Sequence, residues 1–325
     1  MTSPKILIVQ LGRLGDFILA TPMFRALRQA YPQCRIHVLA SRHNAALARL
    51  QPEVEHVHLH SKKVLATLKL LVRLKRAHYD VWIDPKDHFS REGSFFARWA
   101  GAERKVGFNQ TGGRKFFDVS LPSQAEEHTH VVWRNLQALS ALGVEANDPR
   151  PSLHVTSAAQ DQLSQFLRAQ GCAQYYCVNL SAGNAIRYWP LEQWATFLRT
   201  IKTETRAFVL TAAAHDAHLA ETLAQQVPHA YYFPTRQLSA LLAVVQRAEL
   251  VVSPDTSIIH MAAAFDRPVL GLYSNHDWNY KKFYPLSTHC RIVLPSAPGG
   301  LIRDITCESA LEKFQELLTE MRGAR

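Results

Sequence analysis

The stretch Val251–Tyr273, VVSPDTSIIHMAAAFDRPVLGLY, fixes the fold class. A β-branched apolar run ends at Ser253-Pro254. The polar turn Asp255-Thr256-Ser257 then opens a helix, Ile258–Phe265. Asp266-Arg267-Pro268 breaks that helix, and a second strand follows at Val269–Tyr273. Strand, turn, helix and strand in this order form a parallel α/β unit. The turn leaves backbone N–H groups and two hydroxyls at a helix N-terminus, whose partial positive charge suits a phosphate.

The same alternation runs outward in both directions. Expected strands in the first half are Lys5–Gln10, Arg35–Ala40, Val54–His60, Val81–Asp84 and Lys105–Phe108, with helices at Phe17–Ala30, Val64–His78 and Arg91–Trp99. A long helix, Glu126–Leu142, ends at Gly143, a residue suited to a C-terminal cap. Two prolines and Asn-Asp make Glu145–Pro151 the linker. Beyond it, strands are expected at Tyr175–Leu180, Ala207–Thr211 and Leu250–Ser253. Helices fall at Ser157–Gln170, Leu191–Lys202, Asp216–Gln226, Leu238–Gln246 and Ser309–Met321, the last free to pack back on the first lobe. With 325 residues the chain exceeds one core, so two Rossmann-like domains are expected, 1–148 and 149–325, with parallel sheets facing across a cleft.

Composition narrows the function. Hydrophobic residues make up 47% and charged residues 20%, ample for a core. The apolar run after Met1 is too short for a signal peptide, and nothing approaches the ~20 apolar residues of a membrane span. A soluble, cytoplasmic protein is expected. Cys34, Cys172, Cys177, Cys290 and Cys307 form no CxxC pair or metal spacing, so no metal site is expected. The net charge of +10 calls for an anionic partner. No zinc-finger, RNP or basic-helix signature points to nucleic acid. Lys62-Lys63 and LKLLVRLKR, Leu68–Arg76, set cations beside an apolar face, which suits an acidic glycolipid or a membrane surface as well as a solvated helix.

Two further turns carry chemistry. After the first strand, Gly12-Arg13-Leu14-Gly15-Asp16 has glycines three apart, so it is not the G-x-G-x-x-G dinucleotide fingerprint. It presents Asp16 at or near a helix N-cap, as a cap, a positioned carboxylate, or both. After Tyr175–Leu180 comes Ser181-Ala182-Gly183-Asn184-Ala185-Ile186-Arg187-Tyr188-Trp189-Pro190. Its small residues allow close backbone approach, and Arg187 brings a permanent bidentate charge, unless Tyr188-Trp189-Pro190 is simply a packing plug. His260 shares a helix face with Thr256 and is open to a ligand or a packing role.

Three segments together resemble glycosyltransferase family 9, the ADP-heptose:lipopolysaccharide heptosyltransferases. They are G-R-L-G-D-x-x-L-x-T-P-x-x-R-A-L (Gly12–Leu27), R-Y-W-P (Arg187–Pro190) and D-T-x-x-x-H-x-A-A-A-x-x-x-P (Asp255–Pro268). The likeness is dense over Lys5–Tyr31, Val178–Trp194 and Glu249–Tyr273, and extends over nearly the whole chain.

The resemblance implies a GT-B fold and an inverting, metal-independent transfer of heptose from ADP-heptose to the lipopolysaccharide inner core. It makes Asp16 the catalytic base. Ser181, Gly183, Arg187, Asp255, Thr256, Ser257 and His260 become donor contacts, with Asp216 as a ribose-binding acid and Arg236 near the adenine. Arg13, Lys62, Lys63, Arg91 and Arg114 would meet the anionic glycolipid acceptor. Two departures stand out: Arg187 replaces the usual Lys of K-x-W-P, and Ser257 replaces the usual Gly of D-T-G. The implied setting is the cytoplasm, with a peripheral contact at the cytoplasmic face of the inner membrane left open. The alternatives are a GT-B nucleotide-sugar epimerase, a family 9 transferase with another donor or a protein acceptor, and a non-catalytic sugar-nucleotide binder.

Overall fold

The computed structural model describes residues 3–86, 88–122, 129–201 and 206–323. The chain divides into two compact units, Met1–Ser152 and Leu153–Arg325, so the boundary lies just past the Pro-rich linker.

The first unit runs β1 (Lys5–Gln10), α1 (Leu14–Ile18), α2 (Thr21–Ala30), β2 (Arg35–Ser41), α3 (Ala45–Arg49), β3 (Val54–His60), α4 (Val64–Ala77), β4 (Val81–Ile83), α5 (Arg91–Trp99), β5 (Arg104–Gly107), β6 (Val119–Ser120) and α6 (Val131–Gln137). Its strands form one six-stranded sheet in the order β3-β2-β1-β4-β5-β6, with every pairing parallel. Strand β1 is buried on both faces after its first residue, as a covered parallel strand must be. The order reverses beside β1, between β2 and β4. That switch point opens a crevice at the C-terminal strand ends.

The second unit repeats the plan with α7 (Ser157–Ala169), β7 (Tyr175–Asn179), α8 (Leu191–Thr200), β8 (Ala207–Thr211), α9 (Ala217–Gln226), β9 (Ala230–Tyr232), α10 (Leu238–Arg247), β10 (Leu250–Pro254), α11 (Ser257–Ala264), β11 (Val269–Leu272), α12 (Asp277–Phe283), β12 (Cys290–Val293) and α13 (Cys307–Gly323). Sheet order is β12-β11-β10-β7-β8-β9, again all parallel, and here the switch point lies between β7 and β10. The two parallel sheets bear out the GT-B class.

Several elements differ from the sequence reading, each for a local reason. Phe17–Ala30 is two helices rather than one. Pro22 has no N–H to give the Ile18 carbonyl, so the helix breaks and the Thr21 hydroxyl donates to that carbonyl at 2.7 Å. The Ser152 amide in turn donates to Thr21 Oγ1 at 2.9 Å, fastening the end of this unit to the break. The helix expected from Glu126 begins at Val131, where His130 Nδ1 accepts from the Val132 amide. Its expected first turn lies outside the described residues. It tightens to a 3₁₀ turn at Ala138–Leu142 and ends at Gly143, whose φ of 70° suits glycine. The Asp216 helix likewise starts with a 3₁₀ turn, Ala214–Asp216.

Ala310, Phe314 and Leu317 of α13 are buried in the second unit's core beside Tyr176, Phe197 and Leu270. Phe314 meets the Tyr176 and Phe197 rings edge-on at 5.7 Å. No helix among the described residues is long and apolar enough to cross a membrane.

Candidate functional site

In the second unit the turns after β7, β8, β9 and β10 converge on a cavity of about 380 Å³ at the C-terminal sheet edge. Its polar lining includes Asn179, Ser181, His215, Thr235, Thr256 and Ser257, with Gly183 at the edge of the β7 turn; its apolar wall includes Ala212, Ala213, Leu238, Leu241 and Ile258. The size falls in the range of small-molecule sites, and an apolar wall beside a helix N-terminus suits a nucleoside carrying phosphate.

Asn179 organises the polar side. From the end of β7 its Nδ2 donates to the Ser181 carbonyl at 2.9 Å and to Ser253 Oγ at 3.0 Å, and lies 3.4 Å from Thr256 Oγ1. Ser253 Oγ and Thr256 Oγ1 are 3.1 Å apart, and Thr256 Oγ1 accepts from the Ile258 amide at the start of α11. Ser181 Oγ accepts from the Ala213 amide at 2.7 Å, joining the β7 and β8 turns. Sequence reasoning passed over Asn179, Ser253 and Leu241 as site residues, while Thr235 and Leu238 lie in the Phe233–Leu238 segment that the resemblance sets beside the adenine. For Asn179 a signal existed, a lone amide at the end of an otherwise apolar buried strand.

Arg187 stands in the 3₁₀ turn Ala185–Arg187, outside the cavity lining. Its Nη1 lies 3.1 Å from Asp255 Oδ2 and donates to the Asp255 carbonyl at 3.1 Å. The family-like loop and the opening motif are therefore joined by an ion pair whose acidic side is buried. Trp189 fills the core against Trp194 and Phe197, its Nε1 donating to the Ile305 carbonyl. The packing role and the charged role of this loop thus fall to different residues. Tyr273, beyond β11, is buried near Asp255. Burial and then the Asp255 charge push its phenol well above the usual range, so it stays neutral.

Other donor-side residues are placed less directly. Asp216 is buried, accepting from the Tyr188 hydroxyl at 2.6 Å, with His215 Nε2 at 3.4 Å. Arg236 is exposed after β9. His260 is buried in α11 with its ring 6.4 Å from Phe283, outside the cavity lining. Ser257 lines the cavity as the first residue of α11.

In the first unit Asp16 is the third residue of α1 rather than its N-cap, because the helix begins earlier than expected. Arg13 takes the N-cap position, and its amide donates to Asp16 Oδ2 at 2.7 Å. A Cβ on Gly12 would lie 2.4 Å from that oxygen, so only glycine leaves room for the carboxylate. Asn44 and Ser41 hold the turn from below. Asn44 Nδ2 donates to the Gln10 carbonyl at 2.9 Å, and Ser41 Oγ to the Gly12 carbonyl at 2.9 Å. A second acid, Asp84, directly follows β4 at the same switch point. Burial pushes its carboxyl upward, and the Lys86 amide donates to it at 3.3 Å. Sequence reading had placed Asp84 only as a strand end.

Arg13, Lys62-Lys63 and Arg114 lie in connections following β1, β3 and β5, and Arg91 is the first residue of α5 after β4, all on the C-terminal side of this sheet. Arg114 sits over the Phe116 ring at 5.8 Å. Among the described residues no group of three or more His, Cys, Asp or Glu is arranged to hold a metal.

Comparison with known proteins agrees with this geometry. A lipooligosaccharide heptosyltransferase 2 from Haemophilus influenzae is 26% identical over 97% of this chain and all of its own length. Among solved structures, a family 9 glycosyltransferase from Veillonella parvula superposes with a TM-score of 0.83, at 18% identity, covering 98% of this chain and 97% of that one. The E. coli heptosyltransferase WaaC with ADP-2-deoxy-2-fluoro heptose superposes at 0.77, with 20% identity and coverage of 96% and 99%. The sequence profile of glycosyltransferase family 9 (heptosyltransferase) matches residues 67–301, and the chain is a glycosyltransferase belonging to that family.

Proposed function

We propose that this enzyme transfers a heptose from ADP-heptose to the lipopolysaccharide core, with inversion and without a metal. The observation that carries the reading is the second-unit cavity, an apolar slot beside the Thr256–Ser257 helix terminus. It suits an adenosine whose diphosphate runs toward α11 and Arg187. The names of the relatives supply the sugar and the acceptor class.

In this reading Asp16 takes the proton of the acceptor hydroxyl as its oxygen bonds to the anomeric carbon. The bond from that carbon to the diphosphate breaks on the opposite face, which inverts the centre. Arg187 and the α11 amides receive the charge of the departing ADP, the task a divalent ion has in other transferases. Ser181 and Gly183 bring backbone close to the donor, and Asp255 holds Arg187 in place while reaching toward the sugar. Arg13, Lys62, Lys63, Arg91 and Arg114 suit the phosphates and carboxylates of an anionic core. The work is done in the cytoplasm, at the inner face of the inner membrane.

The test is ADP release from ADP-heptose with and without defined core oligosaccharides, with UDP-sugars run in parallel. ADP released only with acceptor, at a rate EDTA leaves unchanged, supports the proposal. Altered sugar without acceptor would make the protein an epimerase, and binding without turnover a sugar-nucleotide binder.

A further inference from the structure

Helix α4 is apolar on two opposite faces. Leu70 and Leu74 are buried in the first unit's core, with Leu71 and Ala77 packed beside them. The outward face carries Leu65, Leu68 and Val72, an i, i+3, i+7 seam that is 66%, 54% and 48% exposed, and Val64 at the helix start is 78% exposed. Cations rim the seam. Lys69, Arg73 and Arg76 form a shallow groove with Leu68 and Val72. Lys75 follows on the exposed surface. Between Glu55 and Asp80 the sequence has no acidic residue, and no salt bridge among the described residues engages these cations. An ordinary surface helix turns charges outward. A seam of large aliphatic side chains in that place is a surface waiting to be covered.

We propose that this face docks the protein on an anionic phospholipid bilayer, with Leu65, Leu68 and Val72 entering the headgroup–acyl boundary and the flanking cations meeting lipid phosphates. Charge complementarity selects this occupant. Two copies meeting through α4 would set cation against cation. A nucleic acid would engage the cations but leave the aliphatic seam in water. An anionic bilayer satisfies both parts of the surface at once. The inference rests on the transferase reading only for why a membrane is near.

Sedimentation of the full chain with vesicles, without donor or acceptor, tests it. Vesicles of phosphatidylcholine mixed with phosphatidylglycerol should bind the protein, and those of phosphatidylcholine alone far less, with binding weakened by salt. Leu65→Gln combined with Leu68→Gln should lower the partition coefficient by more than about tenfold. Arg73→Gln or Arg76→Gln should each lower it about fivefold. All variants should keep the wild-type melting temperature and turnover on a soluble core oligosaccharide, which excludes misfolding. Equal binding to both vesicle types, no binding to either, or variants that bind like wild type would overturn the assignment. Transferase activity measured separately stands or falls on its own.

Discussion

Arg187 and Asp255 meet twice, the guanidinium bonding both to the carboxylate and to the backbone carbonyl of the same residue at 3.1 Å. Asp255 is buried, and the pair sets a cation beside its carboxylate. The arrangement explains how Arg can stand where the family usually has Lys. Its fork ties down the acid with one nitrogen and leaves other donors for a diphosphate.

Removing that fork should cost both stability and rate. Arg187→Ala takes this cation from beside a buried carboxylate, which should destabilise the second unit by about 1–3 kcal/mol given the partial exposure of the pair. It should also lower kcat/KM for the donor by about 10²-fold or more. Arg187→Lys should recover most of both. The checks are denaturant midpoints and initial rates of ADP release; an Arg187→Ala enzyme with wild-type kinetics removes Arg187 from the leaving-group site.

Asp16 separates cap from base. In Asp16→Asn the amide oxygen can still accept from the Arg13 amide, so the melting temperature should hold while kcat falls by about 10²–10⁴-fold and donor binding is unchanged. Gly12→Ala keeps the charge but sets a methyl 2.4 Å from Asp16 Oδ2, forcing the carboxylate aside. It should mimic the kcat loss. Full activity in Asp16→Asn would assign the proton to another group.

The sheets were legible because buried parallel strands read as short apolar runs between helical periods. The apolar runs Lys5–Gln10 and Ala207–Thr211 match to the residue, as does the more polar edge strand Val54–His60. The short outer strands were not. Val119–Ser120 and Ala230–Tyr232 have too few residues to show a pattern, and Cys290–Val293 carries Arg291 in its middle. At the candidate site, turn residues with special chemistry could be found from sequence: Asp16, Arg187, Thr256. The partners of Asn179 and the apolar wall could not, since they arise from chain crossings that bring Ser253 and Ala212 beside β7. Ion pairing between Arg187 and Asp255 is likewise a product of topology, as the switch point brings β7 and β10 side by side.

Acid should weaken the first unit through His37 and His58. Tyr79 Oη lies 2.9 Å from His37 Nδ1 and 2.7 Å from His58 Nε2, so one ring accepts its proton and the other donates. Burial, with smaller repulsion from Lys5, His56, Arg35 and Arg73 outweighing attraction from Glu55, lowers His37 to about 4 and His58 to about 3, against an ordinary 6.5. Both folded values lie below the unfolded one. The neutral rings therefore contribute stability fully above pH ~6.5, and it is lost as pH falls from there toward 4 and 3. Unfolding free energy should drop by about 2–4 kcal/mol between pH 7 and pH 5. The double variant His37→Gln, His58→Gln should flatten that slope, and an unchanged slope would place the acid sensitivity elsewhere.

Asn179 is the residue whose loss should loosen the donor cavity without touching any charge. Asn179→Ala leaves Ser253 Oγ and Thr256 Oγ1 to pair only with each other and with backbone, and frees the Ser181 carbonyl that fixes the β7 turn. Buried polar groups stripped of a partner cost about 1–3 kcal/mol, so the second unit's unfolding free energy, read from its denaturant midpoint, should fall by that amount. Thr256 also caps α11, and a slack cap disorders the amides that would face the diphosphate. ADP affinity should therefore fall by about tenfold, which corresponds to about 1.4 kcal/mol and lies inside that range. Thr256→Ser keeps the hydroxyl and should bind ADP nearly as wild type does. Calorimetric titration with ADP reads both variants, and an Asn179→Ala protein that binds ADP at full strength would show that the cavity's polar side does not hold the nucleotide.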